Sequence, residues 1–199
     1  VEALDGGDPK RKAYFRDRIM WSEAPFTGNA SELTKTKYRS QGLEWTGVRD
    51  VAMLSEYDRE RRWMDVWRFD FAQPDRRDTL FSMSINDDYQ SPGDPVYRLL
   101  PNGEYVIAQE GDWLYFSTPG ATPEGSFPRL DKINLKTRAK QTVFRAAPNT
   151  FEEFISFVGS DFTHFITRHQ SKSEPPNYFY HSVADGTKRM LTHFTDPAP

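Results

Sequence analysis

Cysteine is absent from the 199 residues. Disulfides, thiolate catalysis and Cys-ligated zinc are therefore out of reach, while the compartment is left open. No apolar run approaches the roughly 18 residues that a membrane-spanning helix needs, and no signal-like apolar core stands near the start. The chain opens on Val1 rather than Met, so a processed or excised product is expected. A formal net charge of −3 supplies no global field for nucleic acid or an anionic membrane, and neither is expected as a partner. Helix signals are also scarce. No stretch of about 12 residues combines an i, i+3, i+4, i+7 apolar stripe with matching caps.

What is present is aromatic. Hydrophobic residues make up 37% of the chain and aromatics 15%, enough for a core carried mainly on rings. Short alternating segments recur between turn signals. They include Asp17–Pro25, Gly42–Gly47, Asp50–Tyr57, Arg62–Phe71 and Asp78–Met83. Further on come Gly103–Gly111, Asp112–Thr118, Leu130–Thr137 and Lys140–Arg145. The last set is Phe151–Gly159, Thr163–His169, Tyr178–Val183 and Lys188–Phe194. Close spacing and tight turns predict an antiparallel all-β fold.

The segments group into repeats. Markers for the third strand of each group fall near Ile19, Phe69, Ile133 and His181, at spacings of 50, 64 and 48 by subtraction. A four-stranded unit repeating at about 40 to 50 residues is the period of a β-propeller blade. The expected organisation is a partial blade over 1–40, blades over 41–84, 95–147 and 150–196, and hence about three and a half four-stranded antiparallel units of a larger propeller. The long interval holds two Pro/Gly-rich insertions, "NDDYQSPGDP" and "PGATPEGSFP", which read as loops on an intact scaffold.

Candidate chemistry is sparse. His164, His169, His181 and His193 lack close metal-ligand spacing, so no metal or other cofactor is expected. The acidic "NDDYQSPGD" lacks the alternate-acid spacing of a calcium loop and reads as an Asx-turn-rich connection. "YDRERRW" (Tyr57 to Trp63) reads as the solvated tip of a hairpin, with acidic-peptide or nucleic-acid binding as the alternative. In "PGATPEGSFPRLD" the planar fork of Arg129 can meet a substrate carboxylate. The alternative is pairing with Glu124 or Asp131 to hold the loop. In "SKSEPPNYFYHSVADGTK", Pro175 and Pro176 force an extended approach, Asn177 can bond nearby backbone, and Asp185-Gly186 signals a hairpin.

Four blocks carry a resemblance. "RDRIMWSEAPF", "SINDDYQSPGDPV", "GATPEGSFPRLDKINLKT" and "SEPPNYF" are similar, in order, to the propeller of glutamyl endopeptidase-like members of the prolyl oligopeptidase family. "LTHFTDPAP" (Leu191 to Pro199) resembles the end of that propeller. Where the family typically has Gly-Ala-Ser-Pro-Glu-Gly this chain has Gly-Ala-Thr-Pro-Glu-Gly, and its Arg-Glu pair before the Pro-Pro segment is here Arg168-His169. The resemblance implies a propeller that covers a C-terminal α/β-hydrolase domain, screens peptide substrates by size and contributes binding contacts. Arg129, Glu124, Arg168 and Asn177 are its candidate contacts. It also favours a periplasmic or secreted setting for a bacterial source.

The Ser-Asp-His triad of that family lies on the hydrolase domain. No Gly-X-Ser-X-Gly elbow occurs here; "FVGSDF" around Ser160 lacks the second glycine. The chain alone is thus expected not to be an enzyme, and blade edges left open are expected to favour self-association. Two rivals remain: a free-standing all-β module binding peptide or carbohydrate, and a small paired-carboxylate enzyme such as a glycosidase.

Overall fold

A computed structural model describes residues 1–8 and 10–196. Pro9, inside the expected partial blade, and the last three residues of the "LTHFTDPAP" block lie outside the described residues. The described chain is all-β, with no helix. It divides into two compact units, Val1–Asp87 and Asp88–Pro199.

The first unit holds two antiparallel sheets. β1 (Glu2–Ala3), β2 (Asp17–Trp21) and β3 (Ser31–Thr36) form a three-stranded sheet in that order. β4 (Arg39–Trp45), β5 (Val51–Asp58), β6 (Trp63–Asp70) and β7 (Asp78–Ser84) form a four-stranded meander of the blade type. Alternation explains its core face. Ala52 pairs with Phe69 and Leu54 with Trp67, so all four side chains leave the sheet on one side. They cluster with Ile19 of β2, and Leu33, Leu43 and Phe71 pack at the margin. Burying each large side chain contributes about 1.5–3 kcal/mol. The sequence pattern expects only two strands ahead of the first blade. The third, β1, is two residues long and too short to show a period.

The second unit begins with β8 (Asp94–Pro95), β9 (Tyr97–Leu99), β10 (Tyr105–Ile107) and β11 (Gln109–Glu110). β12 (Trp113–Thr118), β13 (Ala121–Thr122), β14 (Gly125–Ser126), β15 (Arg129–Asn134) and β16 (Lys140–Arg145) follow. β11, β12, β15 and β16 make one sheet, with β8 also paired to β12; β9 with β10, and β13 with β14, are two-stranded. β17 (Thr150–Phe157), β18 (His164–Ser171), β19 (Asn177–Ser182) and β20 (Lys188–Met190) make the second blade-type meander. Val96, Ala108, Tyr115, Leu130 and Phe162 form the core, joined by Phe144, Phe154 and Phe157. Tyr115 stacks on Phe162 at 5.1 Å and meets Phe157 edge-on at 4.8 Å.

Two expected strands and two repeat markers differ. The strand over Gly103–Gly111 breaks at Ala108, whose N–H donates to Val96 and whose carbonyl accepts from Tyr115. Ala108 thereby serves two neighbouring strands. The strand expected over Lys188–Phe194 stops at Met190, because Thr192 and Phe194 bond to the Asn177 side chain instead of continuing the ladder. The markers Phe69 and His181 lie late in β6 and β19. The corresponding strands start at Asp17, Trp63, Arg129 and Asn177, giving spacings of 46, 66 and 48 by subtraction.

The first insertion is fastened to the end of β12, and the second is closed across its own base. Gly93 has φ +86°, and a Cβ there would lie 2.1 Å from the Ser117 carbonyl oxygen. Gly120 has φ +65°, and a Cβ there would lie 1.9 Å from the Phe127 carbonyl oxygen. Only glycine satisfies both the left-handed backbone and the contact. Gly93→Ala and Gly120→Ala should each destabilise the protein by about 3 kcal/mol in urea denaturation. Gly28→Ala, at a site with open space around it, should stay within about 0.5 kcal/mol. Equal midpoints for all three would contradict this account of the joint.

Candidate functional site

The joint at the end of β12 brings together two blocks that carry the resemblance. Asp94 and Pro95 of the first insertion pair with Ser117 and Phe116. The second insertion leaves β12 at once and folds into the β13–β14 hairpin, with Pro123 and Glu124 at its turn. Thr122 fixes that turn: its hydroxyl donates to the Gly125 carbonyl at 2.9 Å and accepts from the Glu124 N–H at 3.2 Å. Glu124 is exposed at the tip. The hairpin base is covered by Arg145, whose guanidinium stands 5.0 Å over the Phe127 ring.

Arg129 stands where the hairpin returns to the sheet. Its Nε donates to the Asp131 carboxylate at 2.7 Å, so of the two acids named from sequence Asp131 is the one bonded. Asp131 is fully buried. Burial pushes its carboxyl up, but Lys140 at 2.9 Å, the Thr142 hydroxyl at 2.7 Å and Arg129 outweigh this and hold it below the ordinary range. The bond from Arg129 lies within β15, while Lys140 and Thr142 tie Asp131 to β16; the Arg129 side chain is only 16% exposed.

Arg168 and Asn177 lie on β18 and β19. Arg168 pairs with Glu153 at 3.3 Å, both side chains 37% exposed. Asn177 is buried and occupied within the chain. Its amide nitrogen donates to the carbonyls of Pro175 (3.3 Å) and Phe194 (3.1 Å). Its oxygen accepts from the Thr192 hydroxyl (2.9 Å) and the Phe194 N–H (2.8 Å). The Asp185-Gly186 turn forms as the sequence suggests, with Ser182 and then Thr187 holding Asp185 down to about 2.

Sequence reasoning passed over Glu152. It sits on β17 and meets every other strand of its sheet. Thr167 (2.6 Å) and His169 (3.1 Å) reach it from β18, His181 (3.0 Å) from β19 and Lys188 (2.7 Å) from β20. His181 also stacks on Phe165 at 4.8 Å, and Lys188 stands 4.2 Å over Phe179. Burial pushes the Glu152 carboxyl up. Bonds from His181, Lys188, Thr167 and His169 overcome that and hold it far below the usual carboxylate range.

Threonine, histidine and glutamate here have the composition of a nucleophile relay but not its geometry. A relay needs the acid on one imidazole nitrogen and the hydroxyl on the other. In this cluster the same Nε2 of His181 faces both Thr167 (2.9 Å) and Glu152, and Thr167 has no exposed surface. Among the described residues no group of three or more His, Asp or Glu is placed to hold a metal ion.

Two curated proteins align with the whole chain, and both are called probable glutamyl endopeptidase, chloroplastic. The one from Oryza sativa subsp. japonica is 29% identical over 219 residues. The one from Arabidopsis thaliana is 28% identical over 220 residues. The chain spans only 23% and 22% of their lengths. No family model matches the chain. Among solved structures, TolB from Acinetobacter baumannii is similar at a TM-score of 0.47 and 13% identity, over 90% of this chain and 38% of that one. The glutamyl endopeptidase resemblance carried by the sequence blocks is thus matched by two relatives bearing that name.

Glu152→Gln should cost about 3 kcal/mol at neutral pH, since it removes the buried anion to which Thr167, His169, His181 and Lys188 all bond. The sign follows from the depressed carboxyl. Its contribution is complete above the unfolded carboxyl value of about 4.3 and is lost as pH falls from there toward the much lower folded value. Urea titrations of both proteins across this range should show the difference shrinking with acid. A constant difference would mean the carboxylate charge is not what holds the sheet.

Proposed function

We propose that the chain is a non-catalytic β-propeller segment of a serine peptidase of the prolyl oligopeptidase family, which limits substrate access and helps bind peptides. The observation that carries the reading is the alignment of the entire chain with proteins called glutamyl endopeptidase, of which it covers under a quarter. The blade-type meanders support it, because rigid sheets holding long loops are a common way to present binding residues. In this reading bond cleavage belongs to an α/β-hydrolase domain elsewhere in the parent protein.

Of the contacts named from sequence, Glu124 at the exposed hairpin tip and Arg168 on β18 have surface available for a peptide. Arg129 and Asn177 act through position, Arg129 by steadying the hairpin exit and Asn177 by holding residues 192–194 against β19.

The test uses the full-length parent and a version lacking these residues, assayed on a short chromogenic glutamyl substrate and on long unfolded polypeptides. The full-length protein should favour short peptides. The truncated one should still cleave the chromogenic substrate and lose that discrimination at least several-fold. The isolated chain should hydrolyse neither. Hydrolysis by the isolated chain, or unchanged size selectivity after truncation, would remove the proposal.

A further inference from the structure

The first unit contains a groove of about 580 Å³ that the functional reading above does not use. Its lining mixes basic and aromatic residues: Lys10, Arg16, Lys37, Arg39 and Arg59, with Tyr14, Tyr38 and Tyr57. Asp58 and Glu60 are the acids on its wall. Five cations against two carboxylates is a local inversion in a chain whose net charge is −3.

The cations fall into two sets. Arg16 and Arg39 are already matched. Asp5, only 1% exposed, accepts from both, and Arg39 also reaches Asp17 at 2.6 Å. Bonds from Arg39, then Arg16 and the Gly7 N–H, hold the Asp5 carboxyl far below its ordinary range, so this network stays charged. Asp58 is matched too, by Arg61 at 2.9 Å and by the backbone N–H groups of Glu60 and Arg61. Lys10, Lys37 and Arg59 are exposed and have no carboxylate partner among the described residues. Lys37 lies 5.1 Å over the Tyr38 ring. Tyr38 is itself held by its N–H, which donates to buried Glu56 at 2.9 Å. Tyr14 is 81% exposed beside them.

We infer that this groove binds a short acidic peptide segment, with Lys10, Lys37 and Arg59 receiving its carboxylates and Tyr14 and Tyr38 packing against its stem. The inference rests on the reading of the chain as a peptide-contacting segment and adds the place and chemistry of one contact. A groove of this volume fits a few side chains. Outside it the chain is net acidic, so a long polyanion such as single-stranded nucleic acid would meet repulsion beyond the groove, whereas a short peptide would not.

The test is calorimetric titration of the chain with an acetylated, amidated tetraglutamate peptide, the tetraglutamine peptide and oligothymidylate. Tetraglutamate should bind, more weakly as salt rises, and tetraglutamine should bind much less. Lys37→Gln combined with Arg59→Gln should weaken tetraglutamate roughly three- to tenfold, the sum of two exposed charge contacts. Lys37→Arg should keep the affinity. Thermal melting of each variant confirms that it is folded. Equal binding of the two peptides, unchanged affinity in the folded double variant, tighter binding of oligothymidylate, or no peptide binding would each overturn the inference. Size selectivity of the parent protein is a separate readout. It can survive when the groove fails and can fail when the groove binds.

Discussion

A carboxylate buried in a β-sheet has to be met by donors from neighbouring strands, because desolvation of an unmatched charge costs several kcal/mol. This protein uses that requirement as a cross-strand tie. Glu152 is answered from all three other strands of its meander, through partners 15, 17, 29 and 36 residues away. Asp131 joins β15 to β16 through Lys140 and Thr142. Asp5 and Asp17 converge on Arg39, the first residue of β4, and so bind the three-stranded sheet to the meander beside it. A slip of one residue in β2, β15 or β17 would turn Asp17, Asp131 or Glu152 to the opposite face and away from its partners on the neighbouring strands. These clusters therefore specify register where aromatic packing, tolerant of small shifts, does not.

The strands of the two meanders are legible because they run six to eight residues in most cases, long enough for alternation to appear. β1, β8, β13 and β14 are two residues each and have no period to read. The β13–β14 hairpin had a local cue in Pro-Glu-Gly, but composition alone also fits an irregular loop. Glu152 was invisible for a different reason. Its surroundings, "TFEEFISF", distinguish neither which of two adjacent glutamates turns inward nor which distant residues will meet it. Asn177 was legible only in part. Its bond to Pro175 is local, while its bonds to Thr192 and Phe194 depend on how the chain after β20 returns.

The two insertions show how a loop becomes a rigid feature without regular structure of its own. Gly93 and Gly120 permit backbone contacts at distances that exclude a side chain, the first against Ser117 at the end of β12 and the second against Phe127 across the base of the second insertion. The hairpin beyond them is then oriented by Thr122, by the Arg145–Phe127 stack and by the Arg129–Asp131 bond. Preorganisation of this kind lowers the entropy lost when a ligand is bound. In the proposed peptide-contacting reading, that rigidity is what the insertions contribute.

The same principle separates structural from available charge across the molecule. Arginine and lysine occur in both settings, so residue type does not identify a ligand contact. Arg16, Arg39, Arg129, Lys140 and Lys188 each face a buried carboxylate, and drawing any of them toward a ligand would uncover a charge the fold cannot leave unmatched. Lys10, Lys37 and Arg59 carry no such obligation and share one groove. Satisfied cations therefore belong to the frame, and the proposed groove draws on cations that have no such partner. On that ground the charged residues most informative about function are those whose counter-ion the chain itself does not provide.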